Sequence, residues 1–464
     1  MKRLAELTSR AKEMGAAFAE ARYEDLTETF IDWRGAGPVW AACGRETGVG
    51  VRVLLNGRWG FASTTDLTPQ GLQEALADAL ELAYAGGSGQ PGEAALRPRA
   101  TFTAEHVVPR AMDPRSVPLA DKLGAFQRLA RESLAGQAVS GFELAYADQA
   151  GERVYVDSEG CTVWWEPVRC IGRVSVTAAD RGDSASSVEG FGGTVGWEAV
   201  ETGEASAAAR MAAANAREWL GAGEAPAGSF PVLLDNQAAE NFIHEAIGHA
   251  AEGDAVARGL SVLAGKLGQQ VGPPGVTVVD DPSRTGSVGA FPFDDEGTPA
   301  RAVTILDRGT VAEYLHSRET ARLLGAEANG HARAVSYRYP PIVRMGTIYL
   351  APGPTPPARL VESMEEGIYL LGKRGGQVNP ARGSFQFNAD RALWISRGKV
   401  AGRLRGVSLS GQILDILTAV AEVGDDLAFH TGGCGKGAPA QTIPAGSGSP
   451  HVLLSRAMIG GRRR

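Results

Sequence analysis

The sequence is poor in cysteine and has no long apolar run. Only four cysteines, Cys43, Cys161, Cys170 and Cys434, occur among 464 residues. This sparse spacing indicates reduced thiols rather than a disulfide framework. No stretch is apolar for the roughly 18 residues that a membrane span needs, and the amino terminus lacks the apolar segment of a signal peptide. We therefore expect a cytoplasmic protein without a membrane-spanning segment.

The sequence also has no excess of positive charge. The formal net charge is −7, which argues against nucleic acid as a partner. Hydrophobic residues make up 44% and charged residues 21%, a balance typical of globular proteins. The 61 glycines and 25 prolines favour short strands and turns over long helical bundles.

Hydrophobic periodicity predicts an α+β fold in two domains. The first, residues 1–222, mixes helices with antiparallel sheet, and the second, residues 230–464, is rich in β-structure and carries one prominent helix. Glycine-rich segments near 86–92 and 221–229 are the predicted linkers. The predicted elements of the first domain are helices at 3–22, 70–85, 119–130 and 204–220, a hairpin at Asn56-Gly57, and a meander over 142–197.

The segment His244-Glu-Ala-Ile-Gly-His249 places two imidazoles and a carboxylate close together. In zinc peptidases with an H-E-x-x-H motif, the two histidines bind the metal from one helix face and the glutamate acts as base. Here the histidines are five apart. Positions five apart differ by roughly 140° around a helix, against roughly 40° for positions four apart. A π-bulge would restore a shared face, and we expect Gly248 to ease that distortion.

A catalytic zinc site needs a third protein ligand. The residues alone leave five candidates open, namely Glu252, Asp254, His316, His430 and Cys434. Glu252 is the nearest along the helix, and Cys434 is unusual because glycines flank it.

The run from His244 to Asp254 resembles the signature of the TldD/PmbA metallopeptidases, once called modulators of DNA gyrase. Further segments resemble the same family over nearly the whole chain: Val51–Leu54, Trp59–Ser63, Asp294–Pro299, Asn329-Gly330 with Arg333, Ser336-Tyr337, Arg344-Met345, Gly375–Val378, Phe385–Phe387, Val423–Leu427 and Cys434–Lys436.

This resemblance implies a zinc-dependent peptidase. It assigns one Zn²⁺ per active subunit to His244, His249 and Cys434, and the role of general base to Glu245. His316 and His430 then lose support as ligands, and Glu252 and Asp254 become partners of the ligands. Arg333 and Arg344 are candidates for binding a peptide carboxylate, or equally for structural ion pairs.

Family resemblance further implies an unfolded or linear peptide substrate and a dimer, formed with a PmbA/TldE-like paralogue or with a second copy. An extended peptide could add as a strand to an open sheet edge. The competing hypothesis is a non-catalytic partner subunit with a structural metal, which would have four ligands and no open position.

Overall fold

The computed structural model describes residues 1–85 and 94–461. Within those ranges, helices pack on antiparallel and mixed sheets, which confirms the α+β class. The linker predicted at 86–92 lies outside the described residues. All four cysteines lie within them and are free. No helix in these ranges is both long and apolar enough to cross a membrane.

The helices are α1 (Lys2–Glu13), α2 (Pro69–Ala85), α3 (Leu119–Leu134), α4 (Glu198–Glu201), α5 (Glu204–Glu218), α6 (Asn236–Ile243), α7 (Gly253–Ala257), α8 (Arg318–Leu324), α9 (Pro357–Glu362) and α10 (Ile413–Thr418). A π-helical turn (His244–Gly248) and 3₁₀ turns (Pro114–Ser116, His249–Ala251) complete them.

The strands up to residue 234 are β1 (Phe18–Arg34), β2 (Gly37–Leu55), β3 (Arg58–Thr64), β4 (Thr103–Val107), β5 (Val139–Asp157), β6 (Thr162–Glu166), β7 (Val168–Asp180), β8 (Asp183–Gly193), β9 (Gly223–Glu224) and β10 (Gly228–Leu234). Those that follow are β11 (Val278–Asp280), β12 (Val303–Asp307), β13 (Thr310–Val311), β14 (Ala332–Arg333), β15 (Ile342–Val343), β16 (Thr347–Leu350), β17 (Glu366–Leu371), β18 (Gly376–Asn379), β19 (Ser384–Asn388), β20 (Arg391–Ser396), β21 (Lys399–Arg405), β22 (Ser408–Gln412), β23 (Val420–Val423), β24 (Ala428–His430), β25 (Gly433–Lys436), β26 (Gln441–Pro444), β27 (Gly446–Ser449) and β28 (Val452–Gly460).

The first eight strands form one sheet in the order β3-β2-β1-β5-β6-β4, with β7 joining β5 to β8. The predicted helices near 70–85, 119–130 and 204–220 are confirmed, as is the hairpin at Asn56-Gly57, where both residues have positive φ. The meander of β5 to β8 is also confirmed.

The helix predicted over residues 3–22 is wrong beyond Glu13. Gly15 takes a φ of 95°, which ends the helix, and β1 begins at Phe18. The apolar residues from Phe18 onward belong to a buried strand that pairs with β2 on one side and β5 on the other. A short apolar run fits a buried strand as well as a helix, so periodicity could not distinguish them.

Residues from Gly223 onward form a ten-stranded mixed sheet and a separate six-stranded sheet. In the predicted linker 221–229, Gly223–Glu224 pairs with β21 and β10 begins at Gly228, so parts of this segment belong to the ten-stranded sheet. Strand β10 lies between β28 and β17. The division into two domains, 1–222 and 230–464, stays a prediction.

Candidate metal centre

Helix α6 begins where the sequence predicts, directly after β10. The Asp235 carboxylate accepts a hydrogen bond from the backbone N–H of Ala238 at 2.8 Å, which caps the first turn. Phe242, Ile243 and Ala246 follow as a fully buried stripe in the largest hydrophobic cluster of this half. The segment with the two histidines is therefore fixed by its packing rather than exposed on a mobile surface.

The helix changes to a π-helical turn over His244–Gly248. This confirms the predicted bulge, which accommodates the surplus residue between the histidines. We expected glycine at position 248 to ease a distortion of the backbone. Its φ of −56° and ψ of −57° are ordinary right-handed values, however, which any residue could adopt. A Cβ at this position would instead lie 2.0 Å from Met345 Sδ. Gly248 is therefore explained by close packing and not by backbone freedom.

Cys434 lies on β25, which forms a two-stranded antiparallel hairpin with β26 and pairs Cys434 with Ile443. Two arginines hold this hairpin. Arg344 donates to the carbonyl oxygens of Cys434 and of Gln441, the latter at 2.8 Å. Arg333 donates to the carbonyl of Pro444 at 3.0 Å. Both guanidinium groups are thus engaged by backbone carbonyls of the hairpin.

The β25–β26 hairpin and the π turn bring together three side chains of the kinds that bind metals. Ligand atoms of His244, His249 and Cys434 all lie within 4.8 Å of one another. The two imidazole rings are 5.3 Å apart and nearly perpendicular, and His249 Nε2 is 3.1 Å from Cys434 Sγ. Burial would raise the pKa of the Cys434 thiol, but hydrogen bonds from the two imidazoles lower it to about 5. The thiol is therefore poised to ionise, as a metal ligand must.

A buried ionic network surrounds the outer nitrogen of His249. Glu252, only 2% exposed, has Oε2 at 3.1 Å from His249 Nδ1 and at 3.0 Å from Lys436 Nζ. Lys436 also donates to Asp254 at 2.7 Å. Although burial raises the pKa of Glu252, the charges of Lys436 and His249 lower it to about 2. Glu252 is therefore a carboxylate that fixes the orientation of the imidazole.

The remaining predicted residues lie at different distances from this cluster. Glu245, in the π turn itself, is half-buried, and no residue in 1–85 or 94–461 hydrogen-bonds to its carboxylate. His316 is 1% exposed and contacts Thr320 instead, with 3.2 Å between Nδ1 and Oγ1. His430 Nδ1 is 2.8 Å from Oε2 of the buried Glu240. Neither histidine joins the three ligand atoms.

Three polar groups near the site were given no role from the sequence. Lys436 lies two residues after Cys434 on β25, so the alternation of a strand places both on the same face. Glu240 lies four residues before His244 and hydrogen-bonds to Lys373 as well as to His430. The spacing to a proposed ligand was a usable signal for Lys436 and Glu240, whereas Lys373 required the fold.

Comparisons with known proteins agree with this architecture. Three family models of the PmbA/TldA metallopeptidases match: domain 1 over residues 19–83, the central domain over 113–218, and the C-terminal domain over 227–461. A metalloprotease of Methanothermobacter thermautotrophicus is 36% identical over 90% of both chains. A zinc metalloprotease TldD homologue of Saccharolobus solfataricus is 25% identical over 97% of this chain and 98% of its own.

Solved structures share the fold at lower identity. A protein of Thermotoga maritima described as a modulator of DNA gyrase superposes with a TM-score of 0.80 at 21% identity, covering 99% of each chain. TldE of Thermococcus kodakarensis gives a TM-score of 0.79 at 15% identity, covering 99% of this chain and all of its own. Taken with the family models and the relative that is 36% identical, these matches mean that the chain belongs to the PmbA/TldD metallopeptidase family and is a peptide hydrolase.

Proposed function

We propose that this chain is a zinc-dependent peptidase that hydrolyses linear or unfolded peptides, with Glu245 as general base. The clustering of His244, His249 and Cys434, whose ligand atoms lie within 4.8 Å of one another, carries the proposal. The two histidines lie in consecutive helical turns and Cys434 lies on β25, far along the sequence, and all three side chains are largely buried.

The donor set suits zinc. Zinc–nitrogen bonds of about 2.0–2.1 Å and zinc–sulfur bonds of about 2.3 Å put neighbouring tetrahedral ligands about 3.5 Å apart. The 3.1 Å between His249 Nε2 and Cys434 Sγ is close to that spacing. In residues 1–85 and 94–461, no fourth histidine, cysteine or carboxylate joins the group. Three protein ligands favour a catalytic site over the closed site of the competing structural-metal hypothesis.

When bound, zinc would supply a Lewis acid for the attacking water and for the scissile carbonyl. Glu245 follows His244 directly, and its carboxylate is not engaged by any described residue. It can accept a proton from the attacking water and deliver it to the leaving amine. Glu252 holds the His249 ring through Nδ1, which leaves Nε2 directed towards Cys434.

We propose that a linear substrate binds at an edge of the ten-stranded sheet. Strand β18 (Gly376–Asn379) is the last strand of the ten-stranded sheet and packs beside the π turn. An extended peptide added to this edge would form main-chain hydrogen bonds close to the ligands, which selects for unfolded chains rather than for a particular sequence. We further propose a dimer, either with a TldE-like paralogue or with a second copy. Location in the cytoplasm stays a prediction.

The decisive experiment compares the wild type with Glu245→Gln and with Glu422→Gln, a matched exposed glutamate in the same half of the chain. We expect Glu245→Gln to retain one zinc per chain by elemental analysis and to lose hydrolysis of an unstructured fluorogenic peptide. The Glu422→Gln control should behave as the wild type. Undiminished hydrolysis in Glu245→Gln would refute the assignment of the base, and full activity of metal-free protein would refute the zinc mechanism.

A further inference from the structure

A cavity of about 260 Å³ lies beside the hairpin that carries Cys434. Strands β5 and β7 of the first sheet form one wall, and residues 290–295 and 333–335 form the other. Residues 442–444 of β26 close it on the side of the metal centre. Phe30 at its rim is 41% exposed, so the cavity reaches the surface. Its volume would accommodate a side chain or a chain end rather than a folded segment.

Three guanidinium groups line this cavity, from Arg153, Arg169 and Arg333. Arg333 is 7% exposed and donates to two carbonyl oxygens, those of Met345 at 2.6 Å and Pro444 at 3.0 Å. The Nε atoms of Arg153 and Arg169 are buried without a hydrogen-bond partner in the described residues. Arg169 forms no ion pair there either. Buried donors of this kind are costly unless a ligand or another group satisfies them.

The acids around the cavity are largely engaged by other groups. Asp295 is 3.8 Å from Arg153 and accepts the backbone N–H of Ala334 at 2.8 Å. Asp294 accepts three backbone N–H groups, and burial raises its pKa well above the usual value, which favours the neutral acid. Burial, followed by the charge of Arg153, lowers the pKa of Arg169 to about 10. Glu28 and Asp148 also line the cavity, where Glu28 accepts a hydrogen bond from Gln149 and Asp148 pairs with Lys122. Among the three guanidinium groups, Arg169 is therefore the one without an ion pair or a hydrogen bond in the described residues.

Aromatic side chains supply part of the remaining, mostly apolar lining. Trp165, Phe291 and Phe293 are among them, and the Arg333 guanidinium stacks 4.7 Å from the centre of the Phe291 ring. Small-ligand sites typically combine such apolar walls with a few convergent polar groups. Arginine donors in a partly apolar cavity match the planar acceptor geometry of a carboxylate.

We propose that this cavity binds a carboxylate of the peptide substrate, with Arg169 as its principal anchor. The inference rests on the proposed peptidase function. The connection to the metal centre is β26, because Ile443 lines the cavity and is the cross-strand partner of Cys434. Paired residues of an antiparallel hairpin are only about 4.5–5.5 Å apart at Cα. A carboxylate in the cavity would thus lie within a few residues of the scissile bond.

The test measures binding and hydrolysis separately. Zinc-loaded Glu245→Gln protein is titrated by fluorescence anisotropy against three versions of one labelled peptide: with a free carboxyl terminus, with a terminal amide, and with an internal glutamate replaced by glutamine. We expect loss of the bound carboxylate to weaken affinity about tenfold or more, as for a hydrogen bond to a charged group. The version that loses affinity identifies whether the terminus or the side chain is bound.

Arg169→Gln, added to the same protein, should abolish that preference while leaving the weaker peptide unchanged. Arg173→Gln, an exposed arginine four residues along the same strand, should retain it. Equal affinity for all three peptides would overturn the proposal, as would a preference that survives Arg169→Gln. If Arg169→Gln does not fold, the peptide series on the unsubstituted protein decides alone. If the wild type hydrolyses the peptides but no carboxylate is preferred in binding, only the proposal for the cavity is refuted. If a carboxylate is preferred in binding but the wild type hydrolyses no peptide, only the peptidase mechanism is refuted.

Discussion

Gly248→Ala tests whether close packing behind the π turn fixes the spacing of the ligands. The added Cβ would lie 2.0 Å from Met345 Sδ and 3.1 Å from Ile348 Cδ1. Met345 is 1% exposed, so its thioether would have to move within a filled core. Overpacking of this kind costs about 1–3 kcal/mol. The helical backbone by itself would favour alanine by about 0.5–1 kcal/mol, so we expect a net loss of about 1–2 kcal/mol.

Denaturant unfolding of the zinc-loaded protein measures that loss, and competition with a chromophoric chelator measures the accompanying fall in zinc affinity. Met345→Ala provides the matched background. Alone, it should destabilise the fold by about 2–5 kcal/mol by opening a cavity. In that background, Gly248→Ala should become neutral or stabilising by up to about 1 kcal/mol, because the clash has been removed. An equal loss of unfolding free energy in both backgrounds would refute the packing explanation. The requirement for Gly248 would then come from its backbone conformation.

Three further predictions concern the surroundings of the site and the fold. Glu252→Gln should lower zinc affinity about 10- to 100-fold, since it weakens the support of the His249 ring, as measured by chelator competition. Burial lowers the pKa of His316 from 6.5 to about 4, so the unfolded chain takes up this proton first. Stability should therefore fall by up to about 3 kcal/mol as the pH decreases from about 6.5 to about 4, and His316→Gln should remove that part of the pH dependence of unfolding. Gly60→Ala would place a Cβ 1.8 Å from a backbone oxygen of α2 and should cost about 3 kcal/mol or more in thermal or denaturant unfolding, whereas Gly44→Ala, with no atom within 4 Å, should have little effect.

The site was predictable where its chemistry is local. Two histidines five residues apart are compatible with one ion only if the helix absorbs a residue, and the π turn at His244–Gly248 is that adjustment. The helix cap at Asp235 and the hairpin at Asn56-Gly57 were equally readable, because each depends on a few neighbouring residues. In these places backbone geometry is set within a single turn.

Features that depend on contacts between residues far apart in the sequence were not predictable from the residues alone. Five candidates for a third ligand remained open until the family resemblance favoured Cys434, and only the fold places its sulfur beside His249. The predicted end of the first helix was wrong for a related reason. The apolar residues from Phe18 onward are buried by β2 and β5, which lie far along the chain, and no local period distinguishes that burial from a helix face.

Arg344 connects the two ligand-bearing elements and is better understood as their support than as a substrate-binding residue. Its side chain is 1% exposed, donates to the carbonyl of Cys434, and lies 3.9 Å from Glu252, which in turn orients His249. The Arg344 guanidinium therefore contacts Glu252, which supports the His249 ring, and the backbone of Cys434. Because removing one partner of a buried ionic group leaves the others uncompensated, the network would hold the ligands in place before any metal binds. We therefore expect the atoms of the three proposed ligands to keep this spacing in metal-free protein, as in a preorganised site.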